Sequence, residues 1–279
     1  MTSVNVQGAL TWAQQQGVTR LEAQMLLLHS VGRDLHDRVW LLSHDTETLD
    51  PLAHLAFQAQ VARRLAHVPL AYITGQKEFF GLSLQVDARV LDPRADTEVL
   101  VEWALSCLAD IPSPQVVDLG TGSGAIALAL KYSRPEAQVW AVDLSADALA
   151  VAQANADRLA LAITWRQGAW CTPLGEAQFD AIVSNPPYVA DHDPHLEHLQ
   201  HEPLQALTSG HDGLNDIRQI VQQAGSHLRP GGWLLMEHGF DQAWAVHDLL
   251  LNAGFEQVQS RPDLAGILRC TGGRWPTMK

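Results

Sequence analysis

VVDLGTGSGAIALAL, residues 116–130, runs from a short apolar stretch through three alternating glycines into a second, longer apolar stretch. The first part suits a buried strand and the last a buried helix, so Gly120, Gly122 and Gly124 fall at a strand-to-helix turn. In open α/β sheets such turns lie at the C-terminal edge of the strands, where glycines let a ligand approach the backbone. A turn without a ligand is the plainer reading, but three glycines weaken a chain that has no need of the space. The next strand, QVWAVDL, closes on Asp143, which stands where it can accept hydrogen bonds from both hydroxyls of a ribose.

Two kinds of ligand compete for this loop. Gly120-x-Gly122-x-x-Ala125 with an acid ~20 residues on satisfies a dinucleotide fingerprint. Asp118, two residues before the first glycine, argues for the other: its charge would repel a pyrophosphate and favour a cation. S-adenosylmethionine, with an ammonium, a sulfonium and no phosphate, is the expected cofactor.

Outward from this loop, short apolar runs alternate with helical patterns. QVVDLG, QVWAVDL, ITWRQG, FDAIVSN and GGWLLMEHG read as strands; helices begin near Ala125, Ala146, Leu214 and Gln242, and terminal strands are expected near 255–260 and 267–271. The alternation predicts an α/β fold with a parallel sheet covered on both faces. Residues 5–66 read instead as consecutive amphipathic helices, with Val6, Leu10 and Ala13 on one face, Leu21, Met25 and Leu28 on the next, and Leu52, Leu55, Ala59 and Ala62 after Pro51 at a helix start. A boundary near Gly75 then separates a helical domain, 1–75, from a catalytic domain, 76–279. Residues 76–90 form a strand or hairpin connector in which Phe80, Leu82, Leu84 and Val86 alternate with polar or small residues.

The formal net charge is −13 over 279 residues. Residues 1–75 hold 5 basic and 6 acidic side chains of the 18 and 31 in the chain, which leaves −12 for the rest. A surface this acidic disfavours direct nucleic-acid binding. The three cysteines, Cys107, Cys171 and Cys270, suggest neither a disulfide framework nor a zinc site. No run approaches the ~18 apolar residues of a membrane span, so a cytoplasmic protein is expected.

FDAIVSNPPY, residues 179–188, is the second informative stretch. A strand ends at the sheet's C-terminal edge on Asn185, an amide, followed by two prolines that lack N–H groups and have a fixed φ. Asn185 Oδ1 and the Pro186 carbonyl then form a stiff pair of acceptors that suits a planar –NH₂ or –CONH₂ group, with Tyr188 as a flat wall. Asn as a simple turn former is the plainer alternative.

At these residues the chain resembles amino-group methyltransferases with an Asn-Pro-Pro-Tyr motif, which act on DNA adenine, ribosomal RNA guanine or protein glutamine. HVPLAYITGQKEFFGLSLQV, DLGTGSGAIALAL, AVDLSADALAVAQANA, SNPPY and HEPLQAL, in this order behind a helical N-terminal segment, resemble the release factor glutamine methyltransferase family over nearly the whole chain. The resemblance implies a Rossmann-like S-adenosylmethionine-dependent methyltransferase sheet with a small N-terminal helical domain for docking the substrate. It implies methylation of N5 of the glutamine in the Gly-Gly-Gln loop of class 1 peptide release factors. Cofactor contacts would fall on Gly120, Thr121, Gly122, Ser123, Gly124, Asp143, Trp170 and Asn185, and substrate contacts on Asn185, Pro186, Pro187 and Tyr188, with Asn185 and Pro186 catalytic. The chain departs from the family in Asp92-Pro93-Arg94-Ala95-Asp96-Thr97-Glu98, where Ile-Pro-Arg-Pro-Glu-Thr-Glu is usual, in Gln200, where an arginine is usual, and in a shortened tail.

A nucleic-acid base methyltransferase is the alternative, disfavoured by charge; a nicotinamide-dependent oxidoreductase would leave Asn-Pro-Pro-Tyr without a role. His192, His195, His198 and His201 lie among acids, but lack the spacing of a zincin motif or a cysteine pair, so a solvated loop is expected rather than a metal site. Methyl transfer from a sulfonium needs alignment more than acid–base help, and no general base is assigned.

Overall fold

The computed structural model describes residues 4–277, the side chain of His198 excepted. The chain divides into two compact units, the first ending at Gln76 and the second beginning at Lys77.

The first unit is helical: α1 (Val6–Gln15), α2 (Arg20–Ser30), α3 (Arg38–Ser43), α4 (Pro51–Leu65) and α5 (Leu70–Thr74). Their starts are encoded locally. Asn5 caps α1 through Gly8 N, Thr19 and Glu22 form a reciprocal capping box on α2, and Asp50 caps α4 with Pro51 in its first turn. Val6, Leu10 and Ala13 are buried as expected. The expected face of α4 is wrong, and that of α2 holds only at Leu28. In α4, Leu52 and Leu55 are 77% and 64% exposed, Ala59 and Ala62 are exposed too, and the buried residues are Phe57 and Val61. Phe57 is two residues, or about 200°, from Leu55 around the helix, and burying its large ring decides which stripe turns inward. In α2 the buried residues are Ala23, Leu26, Leu27 and Leu28; Leu21 is exposed and Met25 half-buried.

The connector is a hairpin of β1 (Gln76–Phe79) and β2 (Leu82–Gln85). Phe80 does not join the alternation: it and Gly81 turn the chain at φ 51° and 74°, and Phe79 is buried in its place. A left-handed pair matches the twist of a two-residue hairpin.

The second unit continues with α6 (Glu98–Cys107), β3 (Gln115–Leu119), α7 (Ala125–Ser133), β4 (Gln138–Asp143), α8 (Ala146–Leu159), β5 (Thr164–Gln167), β6 (Phe179–Ser184), α9 (Asn215–His227), β7 (Leu228–Glu237), α10 (Ala243–Asn252), β8 (Glu256–Pro262) and β9 (Leu268–Arg274). The seven strands from β3 onward form one sheet in the order β5-β4-β3-β6-β7-β9-β8. The expectation of a parallel sheet holds from β5 through β7 and fails at β9, which runs antiparallel to both β7 and β8. A parallel return needs a crossover of a dozen or more residues. Only residues 263–267 separate β8 from β9, and Asp263 ties that turn by accepting from Ala265 N and Ile267 N, both at 2.9 Å. The helix α6 was absent from the strand-helix reading, although Leu100, Val101, Trp103 and Ala104 give it a buried face at helical spacing.

Facing sides of the sheet follow from register. Val117, Ile182 and Leu234 align across β3, β6 and β7 and join a core with Ile217, Ile220 and Ala224 of α9. One residue along each strand, Asp118, Val183 and Leu235 turn to the opposite face. β3 and β6 are neighbours whose onward connections run to opposite sides, which makes the crevice at their C-terminal ends the ligand position of an open α/β sheet.

Candidate active site

Because Leu119 pairs with Ser184, the glycine loop after β3 and the Asn185 loop after β6 emerge side by side. A cavity of about 360 Å³ opens there, within the size range of small-molecule sites. Gly120, Gly122, Asp143, Trp170, Asn185 and Pro187 line it.

Asp143 is held by two backbone donors. Gly122 N donates to Oδ2 at 2.8 Å and Ser145 N to Oδ1 at 2.9 Å. Burial pushes its pKa up, against the backbone N–H groups that favour the charge. A carboxylate has about four acceptor positions, so both oxygens keep capacity for ligand hydroxyls. Gly120 adopts φ 74°, and a Cβ there would come within 3.3 Å of the Trp170 ring; Trp170 itself stands at φ 48°. The indole therefore lies against bare backbone at the cavity wall.

The remaining loop residues brace rather than line the cavity. Thr121 and Ser123 are buried, and a Cβ on Gly124 would crowd Leu128 and Ala152 at 3.1 and 3.2 Å, so this glycine serves the seating of α7. Ser123 is tied by its carbonyl to Asn155 Nδ2 at 3.0 Å. Asn155 also bonds both backbone groups of Gln85, linking α8 to β2 and the glycine loop, a role not read from the sequence.

The expected task of Asp118 needs correction. It is fully buried on the α7 side of the sheet, accepts from the Thr121 hydroxyl at 2.6 Å and Ala127 N at 3.2 Å, and is not part of the cavity wall. Burial pushes its pKa from the ordinary 3.8 up to about 7. Between those values the folded chain retains a proton that the unfolded chain has released, so this group's stabilising contribution is complete below about pH 4 and is lost as pH rises through about 7. Asp118→Asn is expected to remove that part of the decline. Calorimetric midpoints of variant and wild type should diverge in the variant's favour as pH rises across this interval.

Asn185 is half-buried, and its Nδ2 donates to Thr97 Oγ1 at 3.1 Å. That bond turns Oδ1 away from Thr97 as the free acceptor. Pro186 is buried and Pro187 lines the cavity. Tyr188 is not among the lining residues; its ring packs against the α9 core and its hydroxyl donates to Glu237 Oε1 at 3.3 Å. Burial pushes the Tyr188 phenol up, with the Glu237 charge adding to it. Thr97 and Glu237 are both buried; Thr97 keeps the usual residue of the 92–98 segment and Glu237 is a carboxyl ending the apolar strand WLLMEHG, but neither position alone announces a contact with the Asn185 loop.

The residues that depart from the family lie around the same edge. Arg94 pairs with Glu202, Asp92 N donates to the other Glu202 oxygen at 3.2 Å, and Lys77 Nζ stands 3.2 Å from Asp92 Oδ1. These contacts fasten the 201–203 segment to 92–94. Ala95, Asp96 and Gln200 are exposed. In the histidine-rich loop, Asp193 and His195 pair on the surface, His192 is exposed, and the His198 side chain lies outside the described residues. Among the described residues no group of three or more His, Cys, Asp or Glu, His201 included, is placed to hold a metal ion. Nor is any described helix long and apolar enough to cross a membrane.

An acid at the end of β4, the glycine loop after β3 beside it and the amide-bearing loop after β6 form the arrangement of a Rossmann-like methyltransferase. The Methyltransferase small domain family matches residues 96–261, and the PrmC N-terminal domain family matches residues 9–75. Solved structures with the same fold include a methyltransferase from Pyrococcus furiosus, with a TM-score of 0.54 at 17% identity over 79% of this chain and 98% of that one. Another is the T. thermophilus 16S rRNA N2 G1207 methyltransferase in complex with AdoMet and guanosine, with a TM-score of 0.53 at 21% identity over 72% and 49%. At such identities the likeness concerns the fold alone. The release factor glutamine methyltransferase of Bordetella pertussis is 48% identical over 92% of this chain and 95% of its own length, and that of Escherichia coli is 40% identical over 96% of each. The chain belongs to the release factor glutamine methyltransferase family.

Proposed function

We propose that this chain transfers the methyl group of S-adenosylmethionine to N5 of the glutamine side chain in the Gly-Gly-Gln loop of class 1 peptide chain release factors. The observation that carries the reading is the fixed amide of Asn185, whose nitrogen is occupied by Thr97 and whose oxygen is left to a substrate N–H beside the glycine-loop cavity. The donor would be held by Asp143 at its ribose, by the Gly120–Gly122 backbone and against Trp170, and it supplies an activated methyl on a good leaving group. The protein's own work is alignment. An amide nitrogen is a poor nucleophile because its lone pair is shared with the carbonyl; acceptors at Asn185 and Pro186 favour the pyramidal nitrogen of the transition state over the planar ground state. The displaced proton passes to solvent.

A nucleic-acid base as substrate is not favoured: the full-length relatives carry the release-factor name, and the unit bearing the site is strongly acidic. A cytoplasmic setting, where release factors act, belongs to the same reading. The test is transfer of labelled methyl from the donor to a purified release factor, with ribosomal RNA and DNA in parallel; label on nucleic acid alone would refute it.

Residues 1–75, nearly neutral in charge, are the proposed docking element for the release factor. Deleting them is expected to raise KM for the protein substrate while calorimetric affinity for S-adenosylmethionine is retained. An unchanged KM would remove the docking role.

A further inference from the structure

Methyl transfer as described leaves one buried carboxyl at the site without a task. Glu237 ends β7 and is 1% exposed; Met236 before it pairs with Ser184, so Glu237 lies beside the start of the Asn185 loop. The Tyr188 hydroxyl donates to its Oε1. The Thr97 hydroxyl is near enough to favour its charge, although no well-aligned hydrogen bond joins them and Oε2 has no partner among the described residues. Thr97 is the residue that accepts from Asn185 Nδ2. A hydroxyl has one proton to give; with Asn185 as its donor, Thr97 directs that proton toward an acceptor, and the Glu237 carboxylate is the one at hand.

We propose that Glu237 is a positioning residue for methyl transfer: it anchors Tyr188 and, by drawing the proton of the neighbouring Thr97 hydroxyl toward its unpartnered oxygen, sets the direction of the hydrogen-bond chain that keeps the Asn185 oxygen toward the substrate amide. The inference rests on the glutamine-amide reading above. Without this acceptor Thr97 is free to donate to Asn185 Oδ1. The amide then turns over and presents N–H to the substrate's N–H, and the Tyr188 end of the loop loses its anchor. Because Glu237 is outside the cavity wall, donor binding is not part of its role.

The experiment compares Glu237→Met, which fills the space without accepting, with Glu237→Gln, which keeps one acceptor oxygen. Steady-state kinetics on a release factor, donor affinity and thermal midpoint are measured for each. Glu237→Met is expected to lower kcat about 10–100-fold, the scale of misaligned reacting groups, with KM and donor affinity little changed, and Glu237→Gln to recover most of the loss. A pH profile adds a readout that a purely structural carboxyl would not move. Burial pushes the Glu237 pKa up to about 7, so as pH drops through that value wild-type kcat should fall to the level of the Gln variant, which like the protonated acid keeps one acceptor oxygen and whose own profile should lack this limb. The other titratable or charged groups around it are Tyr188, Asp96, Arg269 and Cys270. Wild-type kcat in the Met variant, a Gln variant no better than Met, or a loss confined to donor affinity or folding would overturn the proposal while leaving the glutamine reading intact. A wild-type enzyme that leaves release-factor glutamine unmodified would end both.

Discussion

Replacing Asn185 by alanine is expected to lower turnover on a release factor by about 10²–10³, the usual effect of losing one preorganised contact that also aligns the reacting atom. The substrate amide loses its acceptor and can rotate away from the donor methyl. The glycine loop and Asp143 are untouched, since the side chain bonds only Thr97 among the described residues. Affinity for S-adenosylmethionine, measured by calorimetry, should therefore change far less than kcat. Asn185→Asp should lie between wild type and alanine: it keeps an acceptor, but it cannot donate to Thr97 and brings a second carboxylate to a hydroxyl already beside Glu237. Wild-type turnover in Asn185→Ala, or a defect limited to donor binding, would remove this residue from the mechanism.

Asp143→Ala should do the reverse, weakening the donor by ~1–3 kcal/mol, the cost of a lost charged hydrogen bond, with the fold retained. Two causes combine here. The ribose hydroxyls lose their acceptor, and Gly122 N and Ser145 N lose theirs, so the loop that shapes the cavity loosens. Asp143→Asn separates them, because its single oxygen can serve one N–H but not both. Calorimetry with S-adenosylmethionine is the measurement, and unchanged affinity in the alanine variant would refute the assignment.

Alternating apolar runs and glycine turns made β3 to β7 and their helices legible, because buried parallel strands leave an unambiguous pattern. The antiparallel end of the sheet depends on a five-residue turn held by Asp263, which no periodicity records. Asp118 shows how a correct position can carry a wrong inference: its parity, opposite to that of Val117 and Leu119, turns it under α7 and not toward the ligand edge. The buried face of α4 was decided by a single Phe57 against four smaller apolar residues. The contacts of Thr97 and Glu237 are hidden for another reason: they meet Asn185 and Tyr188 from 88 and 49 residues away in the chain. Only the fold brings β7 and the segment before α6 to the same edge.

The central claim, that the methyl acceptor is a glutamine side-chain nitrogen, is tested most directly by tandem mass spectrometry of a class 1 release factor after incubation with this protein and isotope-labelled S-adenosylmethionine. The labelled methyl is expected on the side-chain amide of the Gly-Gly-Gln glutamine, and to be absent when that glutamine is replaced. Label on any other residue, or an unmodified release factor alongside methylated nucleic acid, would contradict the account.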